Sequence, residues 1–81
     1  MMAATKEFIR NWLQRATKED THMLVVCDTF DYADYPVFVN KNEDVNNKIK
    51  HYSENMQRVI EVYNLSIDLE SQLEAHRVWN I

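Results

Sequence analysis

Three aspartates are the residues whose type and spacing come nearest to a site of chemistry. Asp28, Asp31 and Asp34 recur at every third position of one short segment. Carboxylates spaced in this way around a turn can coordinate a hard cation such as Ca²⁺ or Mg²⁺. The segment lacks the glycine and the distal glutamate of a calcium-binding EF-hand loop. Because aspartate also hydrogen-bonds the backbone two residues further on, we interpret all three as turn-forming residues and predict no metal site.

Aromatic residues alternate with these aspartates, at Phe30, Tyr32 and Tyr35. Aromatic rings beside hydrogen-bonding groups are typical of protein interfaces and of pockets in which a base stacks. Two interpretations stay open: two of the three rings fill the core end of a hairpin, or the segment is an interaction surface. Trp79 docks either on the chain's own core or on a partner subunit. The candidate binding residues are Asp28, Phe30, Asp31, Tyr32, Asp34, Tyr35 and Trp79.

The usual catalytic side chains form no arrangement that predicts an enzyme. His22, His51 and His76 are scattered without metal-ligand spacing, so we take them as surface or packing residues. Cys27 lies among apolar residues, where a thiol is more often a small hydrophobe than a nucleophile. A dyad of Cys27 with His22 or His76 would require the fold to bring them together. We predict a protein without enzymatic activity or cofactor, and a minimal enzyme using Cys27 or paired carboxylates is the least favoured alternative.

The chain contains no glycine at all. This excludes the phosphate-binding P-loop, the dinucleotide-binding fingerprint and the nucleophile elbow of serine hydrolases, which all require glycine. Left-handed backbone positions should then fall to asparagine or aspartate, the residues that tolerate them next best. The asparagine candidates are Asn40, Asn42, Asn55 and Asn64.

Length and charge limit the class of protein. With 81 residues and 46% hydrophobic content, we predict a single globular domain over residues 1–81. The net charge of −4 argues against direct nucleic-acid binding, which uses clustered basic residues. The single cysteine and the absence of a signal-peptide or membrane-length apolar segment predict a cytoplasmic protein without a membrane partner. Because a core this small provides little stability, a subunit interface would add usefully to it, and we expect a homo-oligomer.

The first half of the chain is predicted to hold one helix and a β-hairpin. Thr5 can cap a helix over residues 5–17, whose apolar residues recur at helical spacing. The apolar run 23–27 is typical of a buried central strand. A second strand over 35–39 contains Pro36, which lacks a backbone donor and therefore predicts an edge. The aspartate-rich segment joins the two strands.

A second helix should begin near residues 42–44, where a cap-forming residue and two acids stand together. Its apolar spacing can be continued as one long helix over 43–64. We favour a break near 53–55 followed by a strand, because residues 59–63 are rich in β-branched and aromatic side chains. The sequence leaves both alternatives open.

A last helix, capped by Ser66 or Asp68, should end near Arg77 and leave an apolar tail over 78–81. The predicted order is α-β-β-α-β-α. This is an α+β fold: a small three-stranded antiparallel sheet, made of the β-hairpin plus one strand, packed by helices on one face. One sheet edge would remain exposed for pairing with another chain.

Three segments resemble small proteins of unassigned function that are encoded in phage and prophage genomes. They are VVCDTFD (25–31), DYPV (34–37) and MQRVIEVY (56–63). The resemblance covers most of the chain and carries no catalytic motif and no assigned functional residue. It implies an accessory role in the host cytoplasm. By analogy, small acidic phage proteins without enzymatic motifs often resemble inhibitors of host defence, which act by occluding a host protein, mimicking nucleic acid or sequestering a nucleotide signal.

Two functional hypotheses follow. The first is a non-enzymatic interaction protein, an inhibitor of a host defence protein, whose working surface is the connection 28–36 and a neighbouring strand edge. The second is a homo-oligomeric binder that sequesters a small nucleotide at a subunit interface. In the second, the base would stack on an aromatic residue and the phosphate would meet arginine; the residues concerned are Tyr32, Tyr35 or Trp79, and Arg58 or Arg77.

Overall fold

The computed structural model describes residues 5–54, 56–75 and 77–81. Three strands form one antiparallel sheet in the order β2-β1-β3, so β1 is central and β2 is an edge. The predicted α+β class, the element order and the hairpin are therefore confirmed. In chain order, the elements are α1 (Lys6–Leu13), β1 (Asp20–Asp28), β2 (Ala33–Asn40), α2 (Val45–His51), β3 (Gln57–Asn64) and α3 (Leu69–Glu74).

The central strand β1 is covered on both of its faces. Its four consecutive residues 23–26 are each 0% exposed. Successive side chains of a strand point to opposite faces, so an uninterrupted apolar run needs cover on each side. The expectation that all helices lie on one face was wrong, because it would have left half of this run in water.

Two separate cores result from this arrangement. On one face, Met23 and Val25 pack with residues of α1 and α3, including Leu13 and Leu73. On the other face, Leu24 and Val26 form a smaller cluster, against which partly buried side chains of α2 pack. The partly buried residues that α2 and its C-cap contribute are Val45, Ile49 and Tyr52.

The terminal helices are shorter than predicted. The Thr5 hydroxyl accepts a hydrogen bond from the Phe8 N–H at 3.3 Å, as expected of an N-cap, but α1 ends at Leu13 and not at residue 17. The chain then turns, and the Asp20 carboxylate accepts a hydrogen bond from the Thr17 N–H at 2.8 Å. The last helix, α3, starts after Asp68 and ends at Glu74. No helix among the described residues is long and apolar enough to cross a membrane.

The predicted break after the second helix is confirmed. The Asp44 carboxylate caps α2 by accepting a hydrogen bond from the Asn46 N–H at 2.8 Å. The helix ends at His51, where the Ser53 hydroxyl donates to the Ile49 carbonyl at 2.6 Å. Strand β3 begins at Gln57. The single long helix over 43–64 is excluded.

The left-handed backbone positions were predicted wrongly. Among the described residues, positive φ occurs at Tyr32 (55°) and Met56 (66°). Asn40 and Asn64 use their side chains instead, since their amide oxygens accept hydrogen bonds from backbone N–H groups two residues on, at 3.0 and 2.9 Å. Asn42 has no positive φ, and Asn55 lies outside the described residues. Such side-chain turns satisfy the backbone without a left-handed residue.

The C-terminal tail docks on the chain's own sheet. Val78 is buried, and its carbonyl accepts a hydrogen bond from the Val62 N–H at 3.0 Å. The Asn80 N–H donates to the Val62 carbonyl at 3.0 Å, so the tail forms a parallel bridge beside β3. The tail thus covers part of the outer edge of β3.

We predict that Val78→Ala lowers the free energy of unfolding by about 2 kcal/mol, because two buried methyl groups are lost and a cavity is left. The control is Ile81→Ala, which truncates a side chain that is 53% exposed and should cost less than about 0.5 kcal/mol. Urea denaturation of the two variants gives both values. Equal losses would contradict docking of the tail through Val78.

Candidate functional site

The candidate site lies at the end of the sheet where β1 turns into β2. The turn spans residues 29–32, and the start of β3 lies beside it because Asp28 pairs with Gln57. Met56, which precedes β3, therefore belongs to the same end of the sheet. We call residues 28–34 together with Met56 the hairpin tip.

Hydrogen bonds fix the path of the hairpin tip. The Asp28 carboxylate accepts a bond from the Phe30 N–H at 2.8 Å, and the Asp28 carbonyl accepts one from the Tyr32 N–H. The backbone N–H and the hydroxyl of Thr29 both donate to the Met56 carbonyl, at 2.8 and 2.7 Å. The turn-forming role predicted for aspartate is confirmed at Asp28.

Large apolar side chains stand in solvent at the hairpin tip. Phe30 is 72% exposed, and Tyr32 and Met56 are each 59% exposed. Of the three aromatic residues singled out in the sequence, only Tyr35 packs in a core, on the α2 side of the sheet. Met56 was missed in the sequence analysis, although it follows the predicted break at 53–55 and so had to lie at a strand start.

The backbone of the hairpin tip holds both left-handed residues of the described chain, Tyr32 and Met56. A left-handed conformation costs a residue with a Cβ roughly 1–2 kcal/mol. Such strained residues cluster at binding and switch sites, where surrounding contacts hold them. Here the Thr29 bonds to the Met56 carbonyl and the Asp28 turn supply those contacts.

The three aspartates are not gathered into one site. Asp28 is occupied in the turn, Asp31 is exposed, and Asp34 is half-buried opposite Cys27 on the neighbouring strand. Within the part of the chain that the structure describes, no group of three or more His, Cys, Asp or Glu side chains could hold a metal ion. The exposed carboxylate of Asp31 gives the hairpin tip its acidic character.

Cys27 lies in a setting that disfavours its thiolate. Burial raises the pKa of this half-buried free thiol, and a hydrogen bond with Asp34 raises it further. A reactive cysteine needs a lowered pKa instead. His22 lies on the same strand near its other end, where burial lowers the pKa of the ring, so it forms no dyad with Cys27. His76, the other partner considered, lies outside the described residues.

A second feature lies next to the hairpin tip, between β3 and the tail. A concavity of about 280 Å³ is formed there. It brings together Trp79, which is 47% exposed, and both arginines that the nucleotide hypothesis named, Arg58 and Arg77. Tyr32 and Tyr35 do not line it. The lining residues are Arg58, Val59, Ile60, Arg77 and Trp79.

The geometry thus defines an exposed, acidic and aromatic hairpin tip and a concavity lined by two arginines and a tryptophan. The first has the features of a surface that binds protein, and the second those of a small anion site. No protein-family model, curated protein or solved structure matches this chain.

We predict that Tyr32→Gly is more stable than Tyr32→Ala by about 0.5–1 kcal/mol. Both substitutions remove the exposed ring, but only alanine keeps the Cβ that opposes a left-handed backbone. Phe30 is the control, because its φ is not positive and alanine should there be the more stable residue. Urea unfolding of the four variants provides the comparison, and a more stable alanine at position 32 would show that the turn has another conformation.

Proposed function

We propose that this protein is a small, non-enzymatic accessory protein that binds a host protein through the hairpin tip and inhibits it by occlusion. The observation that carries the proposal is the exposure of Phe30, Tyr32 and Met56 at one end of the sheet. A cluster of exposed apolar side chains often marks an interaction site, whereas single exposed apolar residues are common on any protein surface. Aromatic residues and methionine are also the types enriched at protein interfaces.

The hairpin tip is suited to binding because its shape is already fixed. Two hydrogen bonds from Thr29 to the Met56 carbonyl join the turn to the start of β3, and the Asp28 side chain holds the Phe30 N–H. A surface that is ordered before it binds loses less conformational entropy in the complex. The apolar side chains can therefore contribute more of their burial to affinity.

Charge favours a basic partner surface. Asp31 is exposed between Phe30 and Tyr32, and the chain carries a net charge of −4. An apolar centre with a charged rim is the usual composition of a specific interface, and complementary charge speeds association. A partner with apolar pockets ringed by lysine or arginine fits these features.

The biological setting rests on the resemblance to phage-encoded proteins described above. That resemblance supports a host protein, such as a defence protein, as the target, and the host cytoplasm as the compartment. The absence of enzymatic activity is supported by the setting of Cys27, whose thiol pKa is raised by burial and by Asp34. Inhibition by occlusion requires only an exposed surface and no catalytic group.

We predict that the double variant Asp31→Lys with Tyr32→Ala folds but no longer binds the partner. It reverses the exposed charge of the hairpin tip and removes an exposed ring that the core does not need. Loss of an aromatic anchor typically costs 2 kcal/mol or more of binding free energy, which is at least about thirtyfold in affinity. The measurement is quantitative pull-down from host lysate with the wild-type and variant proteins as baits.

The matched control is Ile67→Ala with Glu74→Lys, which makes the same kinds of change at exposed residues outside the hairpin tip. Ile67 lies in the turn after β3, at the other end of the sheet. Proteins captured by the wild type and by this control, but not by the tip variant, support the proposal. Equal capture by all three baits would show that the hairpin tip is not the binding surface.

Self-association remains a prediction. Among the described residues, the outer edge of β2 pairs with no strand, whereas the tail covers part of the opposite edge. An open strand edge can pair with a second copy of the chain. We expect light scattering to give a mass of at least twice the 9.7 kDa of one chain. A monomer mass throughout the micromolar range would contradict the homo-oligomer.

A further inference from the structure

We propose that the concavity between β3 and the tail binds a small nucleotide, with its base on Trp79 and its phosphate between Arg58 and Arg77. The site is distinct from the hairpin tip and does not depend on the function proposed for it. Two planar cations and one indole ring line a single depression of about 280 Å³. Two other concavities among the described residues, at Thr21 and Asn64 and at Arg10 and Glu70, have no aromatic residue in their lining apart from the ring of His22 in the first, which has no arginine.

The extended tail accounts for the placement of two of these residues. Val78 is buried between Arg77 and Trp79, and residues two apart in an extended segment point to the same side. Arg77 and Trp79 therefore both face away from the core while the hydrogen bonds to Val62 hold the backbone between them. The tail presents a cation and a ring from one fixed segment.

The third residue, Arg58, comes from β3 beside a β-bulge. Val25 pairs with Glu61 and Val26 pairs with Val59, so Ile60 has no partner on β1. A bulge bends its strand and redirects neighbouring side chains, and bulges are frequent beside binding sites. Ile60 itself lines the concavity together with the arginines and adds an apolar side chain to it.

The concavity carries two positive charges, from Arg58 and Arg77, although the chain as a whole is negatively charged. The chain has a net charge of −4 and only 9 lysines and arginines. The ion pairs found within residues 5–54, 56–75 and 77–81 join Arg10 to Glu70 and two lysines to glutamates, so they do not use Arg58 or Arg77. Guanidinium groups bind phosphate through two parallel hydrogen bonds.

The volume of the concavity and the indole ring of Trp79 indicate which class of ligand would fit. The volume is just below the range of about 300–1,000 Å³ usual for drug-sized ligands, which favours a single nucleotide over a dinucleotide. Stacking on an aromatic side chain stabilises the binding of any of the bases, because every base has a flat π-face. The site therefore recognises a phosphate and a flat ring on the same molecule.

The test is titration with AMP and GMP, with adenosine, guanosine and inorganic phosphate as partial ligands. Fluorescence is read in a Trp12→Phe background, so that emission comes from Trp79 alone. Both nucleotides should quench this emission, and they should bind at least about tenfold more tightly than either nucleoside or phosphate, because charge-assisted hydrogen bonds and stacking both contribute. No quenching up to millimolar nucleotide, or equal affinity for nucleoside and nucleotide, would overturn the proposal.

Substitutions locate the site. Arg58→Gln and Arg77→Gln should each weaken nucleotide binding by roughly tenfold or more. Arg15→Gln, at an exposed arginine that does not line the concavity, should leave the affinity unchanged. All three residues are exposed, and thermal unfolding without ligand verifies that the variants remain folded. Unchanged affinity in both the Arg58 and Arg77 variants would overturn the assignment of the phosphate to this concavity.

Discussion

The fold depends on the burial of four consecutive apolar residues in the central strand. Residues 23–26 of β1 lose all contact with solvent, with two side chains on each face of the sheet. Full burial of a large apolar side chain is worth about 1.5–3 kcal/mol, so this segment is among the largest contributions that so short a chain can make to its stability. The other elements cover this segment: β2 and β3 pair with its two edges, α1 and α3 pack on one face, and α2 packs on the other.

The same constraint places the two candidate sites. Because β2 and β3 both run antiparallel to the central strand β1, both begin at the end of the sheet where β1 ends. The hairpin tip follows β1, Met56 precedes β3, and Arg58 lies two residues further along that strand. Phe30 and Tyr32 are exposed at this end and belong to neither core, whereas Tyr35 packs in the core on the α2 side.

Much of the fold could be predicted from the sequence because its signals are local. Each signal can be recognised from a few neighbouring residues: the Thr5 cap, the apolar run of β1, and Pro36, which indicates an edge strand. The position of α2 on the other face could not be derived from its own spacing, since an amphipathic helix fits either face equally well. Only the unbroken run of apolar residues in β1 held that information, and the expectation of a one-sided sheet overlooked it.

The candidate sites were predictable in part for the same reason. The sequence singled out the aspartates and aromatic rings of the hairpin tip because they are adjacent in the chain. Met56 depends on a strand pairing across the sheet, and so its contribution appears only in three dimensions. The left-handed conformation of Tyr32 and Met56 is likewise imposed by their surroundings, against the intrinsic preference of both residue types.

The tail's attachment has a consequence for the concavity. Two backbone hydrogen bonds to Val62 and the burial of Val78 are what keep Arg77 and Trp79 beside Arg58. A segment held by few contacts opens locally at a lower free energy than the core does, and an opening of the tail would separate the halves of the concavity. A molecule held there would draw the equilibrium toward the closed form, because it binds only that form. Opening of the tail and binding of the proposed ligand would thus be linked equilibria.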